Sequence, residues 1–365
     1  MILTRRGPAL PDFPWDSLAD HAAKARKHPG GVVDLSVGTP VDPVPAVIQS
    51  ALSSVAHIPG YPVTHGTPEL RAAFVAAAER RYGIAGLSEQ AVLPTIGSKE
   101  LVAWLPTLLG VGPGDIVAVP AVAYPTYEVG ALMAGAEVVR LADDELPPAG
   151  TKLVWLNSPS NPTGRVLSAE QLRDAVAAAR ELGAVVASDE CYLSLPWDAS
   201  PVSVLHPSIV DSFDGVLAVH SLSKTSSLAG YRAGFVTGDP ELIAGLLELR
   251  KHAGMIVPRP VQEAMRVALE DDAHVVEQRA RYLARREVLK PALEAAGFTV
   301  SHSDAGLYLW SSRGEDAWET ISWLADRGIL AAPGTFYGPA GAQHVRIALT
   351  ATDERVAAAV ERLKA

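Results

Sequence analysis

Six short apolar runs punctuate the middle of the chain: DIVAVP (115–120), AEVVRL (136–141), KLVWLN (152–157), AVVASD (184–189), GVLAVH (215–220) and AGFVTG (233–238). Most lack the polar alternation of a strand that faces water on one side. A strand apolar on both faces must be covered on both, which selects a mostly parallel sheet between two layers of helices. Helix signals fall between the runs. Ser168 opens a capping box, S-A-E-Q, before QLRDAVAAARELG. A second helix starts near Thr67 and runs through ELRAAFVAAAERRYG, and a third follows Gly97.

From Asp239 to about Ala296 the pattern is nearly all helical, with a break around Ile256–Pro260. Beyond it come short strands (FTVSH, GLYLW, HVRIALT) mixed with helices over 315–327 and 352–364. This shift divides the chain into a large α/β domain over 40–255 and a smaller α+β domain that combines 1–39 with 256–365. Hydrophobic residues make up 48% of the 365, enough for a large buried core.

The formal net charge of −10 argues against a nucleic-acid or anionic-membrane surface, since both need a basic face. The lone cysteine, Cys191, can form no intrachain disulfide and falls short of a CxxC metal site. No metal is expected. MILTRRGPALPDFPW has no apolar core of a secretory signal, and no run of 18 apolar residues occurs, so a cytoplasmic protein is the expectation.

Ligands of an open parallel sheet bind where the strands end. After KLVWLN comes SPSNPTG with Asn161. After AVVAS come Asp189, Glu190 and Tyr192. After GVLAVH come Ser221, Ser223 and Lys224, with Arg232 beyond. Gly97-Ser98-Lys99 opens a helix nearby. A desolvated lysine can condense with an aldehyde. Helix-terminal amides, hydroxyls and an arginine can cradle a phosphate. A carboxylate can keep a ring nitrogen protonated. Pyridoxal 5′-phosphate needs all three. Each motif alone has a plainer reading: a solvated loop lysine, a turn-forming Asp, a helix start. Cys191 reads as a small packed residue.

The ordered series SPSNPTG, SDECY and SLSKTSSLAGYRAGF resembles the class I/II aminotransferases of the fold type I pyridoxal-phosphate family, over SVGTP (36–40) to HVRIALT (344–350). The resemblance implies that Lys224 bonds the cofactor and shuttles the proton, and that Asp189 pairs with the pyridine nitrogen. It implies that Asn161 and Tyr192 bond the ring hydroxyl and that Tyr124 stacks on the ring. Gly97, Ser98, Lys99, Ser221 and Arg232 would hold the phosphate. Tyr61, in GYPVTHGTPELR, would reach the neighbouring subunit's phosphate, which implies a homodimer with shared sites. Arg346 would clamp the substrate α-carboxylate with help from Gly38 and Asn161. From pattern alone, Arg346 in a half-buried strand reads first as the partner of one of the 41 acids in a structural salt bridge; the resemblance moves it to the substrate carboxylate. The role of Asn157 is left open, because N-S-P stands where many relatives have N-P.

The stretches LPDFPWDSLADHAAKARKHPGGVVDLSVGTPVDPVP and PGYPVTHGTPELR are similar to the actinobacterial N-succinyldiaminopimelate aminotransferases within that family. The implied reaction exchanges an amino group between glutamate and N-succinyl-2-amino-6-oxopimelate in lysine and diaminopimelate synthesis. Both partners carry a distal carboxylate, so a second cation is needed; Arg5, Arg6, Lys99, Lys251, Arg259 and Arg313 are candidates. Four other readings compete. Another amino-acid aminotransferase or a C–S β-lyase would share Lys224 and Asp189. An effector-sensing regulator would need an added DNA-binding domain, and about 35 residues precede SVGTP. A Rossmann oxidoreductase would need GxGxxG after its first strand, whereas GVGPGD (110–115) precedes a strand.

Overall fold

The computed structural model describes residues 10–364. β1 (Val33–Asp34) is a two-residue strand. β2 (Val92–Ile96), β3 (Ile116–Pro120), β4 (Glu137–Leu141), β5 (Thr151–Asn157), β6 (Val185–Asp189), β7 (Val216–Ser221) and β8 (Ala233–Gly238) form one sheet in the order β2-β8-β7-β6-β5-β3-β4. Only β8 runs against its neighbours. The six apolar runs are thus β3 to β8, and the fold is α/β with a mostly parallel sheet, as the sequence predicts.

β2, absent from the sequence reading, is one of the two edge strands. Its VLPTI contains Pro94, which pairs in register with Phe235. Proline cannot donate to a second neighbour, and an edge strand has none.

Alternate residues of the sheet feed two cores. Val154, Val186, Ala218 and Phe235 pack with Leu70 and Phe74 of helix Pro68–Tyr82 and Leu172 and Val176 of helix Ala169–Glu181. Leu153, Trp155, Ala187, Leu217 and Val236 pack on the other face. There they meet Leu101 and Leu105 of helix Gly97–Leu108, Tyr127 of Thr126–Ala134 and Leu246 of Pro240–Ala253. The Ser168 capping box forms as expected: Gln171 N donates to Ser168 Oγ at 3.1 Å and Ser168 N to Gln171 Oε1 at 3.0 Å. Thr67 Oγ1 caps the helix after it, accepting from Leu70 N at 3.2 Å.

The helical stretch beyond Asp239 comprises Pro240–Ala253, Arg259–Glu270 and Ala273–Ala295. Its break falls at 254–258, where Gly254 caps the first helix in the left-handed region. β9 (Thr299–Ser301), β10 (Tyr308–Ser312), β11 (Ile329–Leu330), β12 (Ala332–Pro333) and β13 (Val345–Ala348) follow. Four of them form an antiparallel sheet, β12-β13-β10-β9, while β11 pairs in parallel with β1. Leu18, Val33 and Leu35 share one apolar core with Leu289, Leu309, Ile347 and Val356. The N-terminal segment therefore packs with the last third of the chain.

Candidate active site

Because β2, β5, β6 and β7 are parallel and β8 is reversed, their C-terminal ends and the start of β8 lie on one edge of the sheet. Ile96 there passes into Gly97 and Ser98. Asn157 and Asp189 stand side by side in register. Ser221 leads through Lys224 to Arg232, the residue before β8.

The Gly97 end is tightly built. Gly97 has φ of +71°, and a Cβ on it would come within 2.6 Å of Arg232 Cζ, so the guanidinium lies against the bare Cα. Arg232 itself adopts φ of 58° and donates to Ala229 O at 2.7 Å. A Cβ on Gly234 would meet Ser98 N at 2.8 Å. Ser221 Oγ accepts from Ser223 N at 3.1 Å. An exposed guanidinium against a helix-opening Gly-Ser turn fits a phosphate.

Asp189 is buried. Its Oδ2 accepts from Tyr127 Oη at 2.8 Å and its Oδ1 from Cys191 N at 3.2 Å. Burial pushes its pKa up, against those hydrogen bonds. Among the described residues this carboxylate has no cation paired with it, and a ring N–H would supply one. Tyr124 lies edge-on to Tyr127, and burial, with Asp189 adding, pushes its hydroxyl to about 12. Lys224 Nζ donates to Gly38 O. Burial pushes its pKa down, with the charges of Arg346 and Arg232 acting the same way. An amine favoured in its neutral form is a nucleophile. These groups fit pyridoxal phosphate. Burial raises the Cys191 thiol well above its ordinary value, in keeping with a packed residue.

Arg346 is 3% exposed. All four residues of β13 are buried, so the half-buried strand expected from sequence is corrected: β13 lies between β12 and β10, and so has no free edge. Nη1 donates to Asn161 Oδ1 at 2.9 Å and Nη2 to Ser36 O at 2.6 Å, while Nε is buried without a partner. Its guanidinium carbon sits 4.0 Å from the Tyr308 ring centroid and 5.1 Å from that of Tyr337. Among the described residues it has neutral partners only. A buried guanidinium without an anion is expensive, and a substrate carboxylate would relieve it.

Tyr192 Oη lies 3.1 Å from Tyr308 Oη, and a Cβ on Gly38 would be within 2.9 Å of Tyr308 Cε1. Tyr61 is fully exposed and stands apart from the rest within one chain. Of the cation candidates, Arg5 and Arg6 lie outside the described residues. Lys251 pairs with Glu248 at 2.6 Å, Arg259 with Glu263 at 3.2 Å and Arg313 with Glu315 at 3.3 Å. Lys99 is exposed, its Nζ 5.6 Å from the Phe13 ring centroid, with no carboxylate partner among the described residues.

Sequence reasoning left out Tyr127, Ser36, Tyr308 and Tyr337, and left Asn157 undecided. Asn157 holds three places together: Nδ2 donates to Asp189 O at 2.9 Å and to Pro159 O at 3.2 Å, and Oδ1 accepts from Asn161 N at 2.7 Å. Its signal was available, since it ends β5 as Asp189 ends β6. The tyrosines carry no local motif. Among the described residues no helix is long and apolar enough to cross a membrane, and no group of three His, Cys, Asp or Glu is placed to hold a metal.

The family model "Aminotransferase class I and II" matches residues 30–363. The chain is 64% identical to "Probable aminotransferase Rv1178" of Mycobacterium tuberculosis, over 97% of this chain and 85% of that one. It is 57% identical to the 4-dedimethylamino-4-oxo-anhydrotetracycline transaminase OxyQ of Streptomyces rimosus, over 97% and 99%. Among solved structures, a "probable N-succinyldiaminopimelate aminotransferase" of Thermus thermophilus superposes with a TM-score of 0.87 at 29% identity, over 96% and 99% of the two chains.

Proposed function

The chain belongs to the class I and II aminotransferases, and from that premise we propose that it moves an amino group between glutamate and N-succinyl-2-amino-6-oxopimelate. The family depends on pyridoxal phosphate, which supplies an aldehyde that takes up an amine and a ring that accepts the electron pair of the substrate's Cα.

In this reading Lys224 holds the aldehyde and carries the proton to and from Cα. Asp189, steadied by Tyr127, keeps the ring nitrogen protonated. Tyr124 would pack against the ring, and Asn161 and Tyr192 would bond its hydroxyl. The amides of Gly97, Ser98 and Lys99, with Ser221 and Arg232, take the phosphate. Arg346 takes the α-carboxylate between Asn161 and the Gly38 segment. The observation that carries the proposal is Arg346: a buried guanidinium with only neutral partners among the described residues, joined from β13 to Asn161 in the loop after β5.

We assign the distal carboxylate to Lys99, whose rivals among the described residues are already paired with acids. The homodimer, with Tyr61 reaching the partner's site, is supported by the exposed apolar side chains Val37, Val41, Val47, Ile58 and Val63 around it in sequence. The division into a 40–255 domain and a composite 1–39 and 256–365 domain is supported by the apolar core the two outer segments share.

A second reading, a bulky ring ketone as amino acceptor, is favoured by one observation. Phe13, Trp15 and Phe336 lie in series, tilted against one another, with centroids 5.7 and 5.2 Å apart, and Trp15 lies 5.9 Å from the Arg346 guanidinium. The test loads the enzyme with glutamate and offers the succinylated keto acid or a tetracyclic ketone. Single turnover with the keto acid, weakened about tenfold in KM by Lys99→Ala, supports the first reading. Turnover with the ring ketone alone overturns it.

A further inference from the structure

Helix Ala273–Ala295 buries five polar side chains; Arg286 turns to Asp198 and the Ser303 carbonyl, and the other four form a stripe. His274, Gln278, Tyr282 and Arg285 follow at steps of four, four and three, which keeps them on one stripe. Their exposures are 6%, 4%, 0% and 3%. Burying polar groups costs free energy unless each is partnered, and each of the four has a partner on the Lys224 loop or on the segment that carries Gly38 and Asp42.

Tyr282 Oη donates to the Lys224 carbonyl at 3.0 Å. His274 Nε2 lies 2.8 Å from Ser226 Oγ, two residues further along the same loop, and His274 Nδ1 lies 2.9 Å from Asp271 Oδ2. Gln278 Nε2 donates to Asp42 Oδ2 at 2.8 Å. Arg285 grips both oxygens of Asp42, at 2.6 and 2.8 Å, and reaches Asp353 at 2.7 Å. Asp42 lies four residues beyond Gly38, whose carbonyl accepts from Lys224 Nζ. The Ser226–His274–Asp271 series has the order of a hydrolytic triad, but Ser226 is 1% exposed, so no substrate reaches it.

We propose that this helix face is a positioning device for Lys224. Tyr282 and His274 hold the lysine's own loop, while Gln278 and Arg285 hold the segment that faces its amine. The proposal rests on Lys224 being the cofactor-bonding lysine. None of the four side chains touches a reacting atom; each acts through Lys224 or its neighbour. An apolar stripe would pack the helix equally well, so the polar one is explained by what it holds.

The test compares wild type, Lys224→Ala, Tyr282→Phe and Ser226→Ala, all supplied with pyridoxal phosphate. It records the visible absorbance of bound cofactor against pH, the melting temperature, kcat and KM. Tyr282→Phe should melt within a few degrees of wild type. It should move the midpoint of the absorbance titration by about half a pH unit or more and lower kcat about tenfold, with KM within about twofold. A lower melting temperature with an unmoved titration and unchanged kcat would overturn the proposal. If Tyr282→Phe does not fold, Ser226→Ala removes one hydroxyl and should lower kcat about threefold; an unchanged kcat there overturns it. A visible band kept by Lys224→Ala would overturn the site reading and this proposal together. A band lost in Lys224→Ala and unmoved in both other variants would overturn this proposal alone.

Discussion

Asn161 Oδ1 accepts a hydrogen bond from Arg346 Nη1 at 2.9 Å, joining the loop after β5 to β13 of the second sheet. The contact places the anion-seeking arginine over the edge where Asp189 and Lys224 stand. Four consequences can be measured.

Arg346→Lys keeps the charge and loses the fork. The ammonium cannot replace Nη1 and Nη2 together, and one charge-assisted bond is worth about 1.5–3 kcal/mol. Steady-state kinetics should show kcat/KM for glutamate lower by about ten- to hundredfold. An unchanged value would return Arg346 to a purely structural role.

Gly97→Ala should loosen the cofactor. The site needs φ of +71°, which costs an alanine about 1–2 kcal/mol, and the new Cβ would push the Arg232 guanidinium away. Equilibrium dialysis should show pyridoxal phosphate held about tenfold more weakly. Wild-type affinity would mean that Arg232 does not need its seat against Gly97.

Asp189→Asn should retain cofactor and lose most activity, because an amide cannot hold the ring nitrogen protonated. Loss of about a hundredfold or more in kcat is expected. Wild-type turnover would refute the role given to this carboxylate.

Glu190 and His220 offer a stability test apart from catalysis. Both are buried, 3.7 Å apart, and burial holds Glu190 protonated up to about 7 and His220 neutral down to about 4. At Glu190 the folded protein binds more protons than the unfolded chain between pH 4.5 and about 7. That contribution is therefore fully present below 4.5 and lost as pH rises through about 7. Glu190→Gln removes the loss. Denaturant unfolding should show the variant gaining on wild type by up to about 3 kcal/mol between pH 4.5 and 8. A constant difference across that range would contradict the buried protonated carboxyl.

Much of this was legible from the residues. The doubly covered strands announce themselves as unbroken apolar runs, and their ends carry Asn161, Asp189 and Lys224. β2 was hidden by Pro94, and β11 and β12 by their two-residue length, since such pieces form only where neighbours already lie. Arg346 was visible as an arginine in a strand, but its lack of an acid partner is a property of the packed molecule. Tyr127 and Tyr308 read as ordinary core aromatics until Asp189 and Arg346 are beside them. The stripe on helix Ala273–Ala295 went unread, because polar residues at helical spacing give no sign in sequence of being buried.

The most direct measurement is the visible absorption of the purified wild-type protein with pyridoxal phosphate, before and after glutamate, with Lys224→Ala alongside. The account predicts a visible band in wild type that glutamate discharges as the cofactor takes up the amino group, and no such band in Lys224→Ala. A wild-type band that glutamate leaves untouched, or one that survives the loss of Lys224, would contradict it.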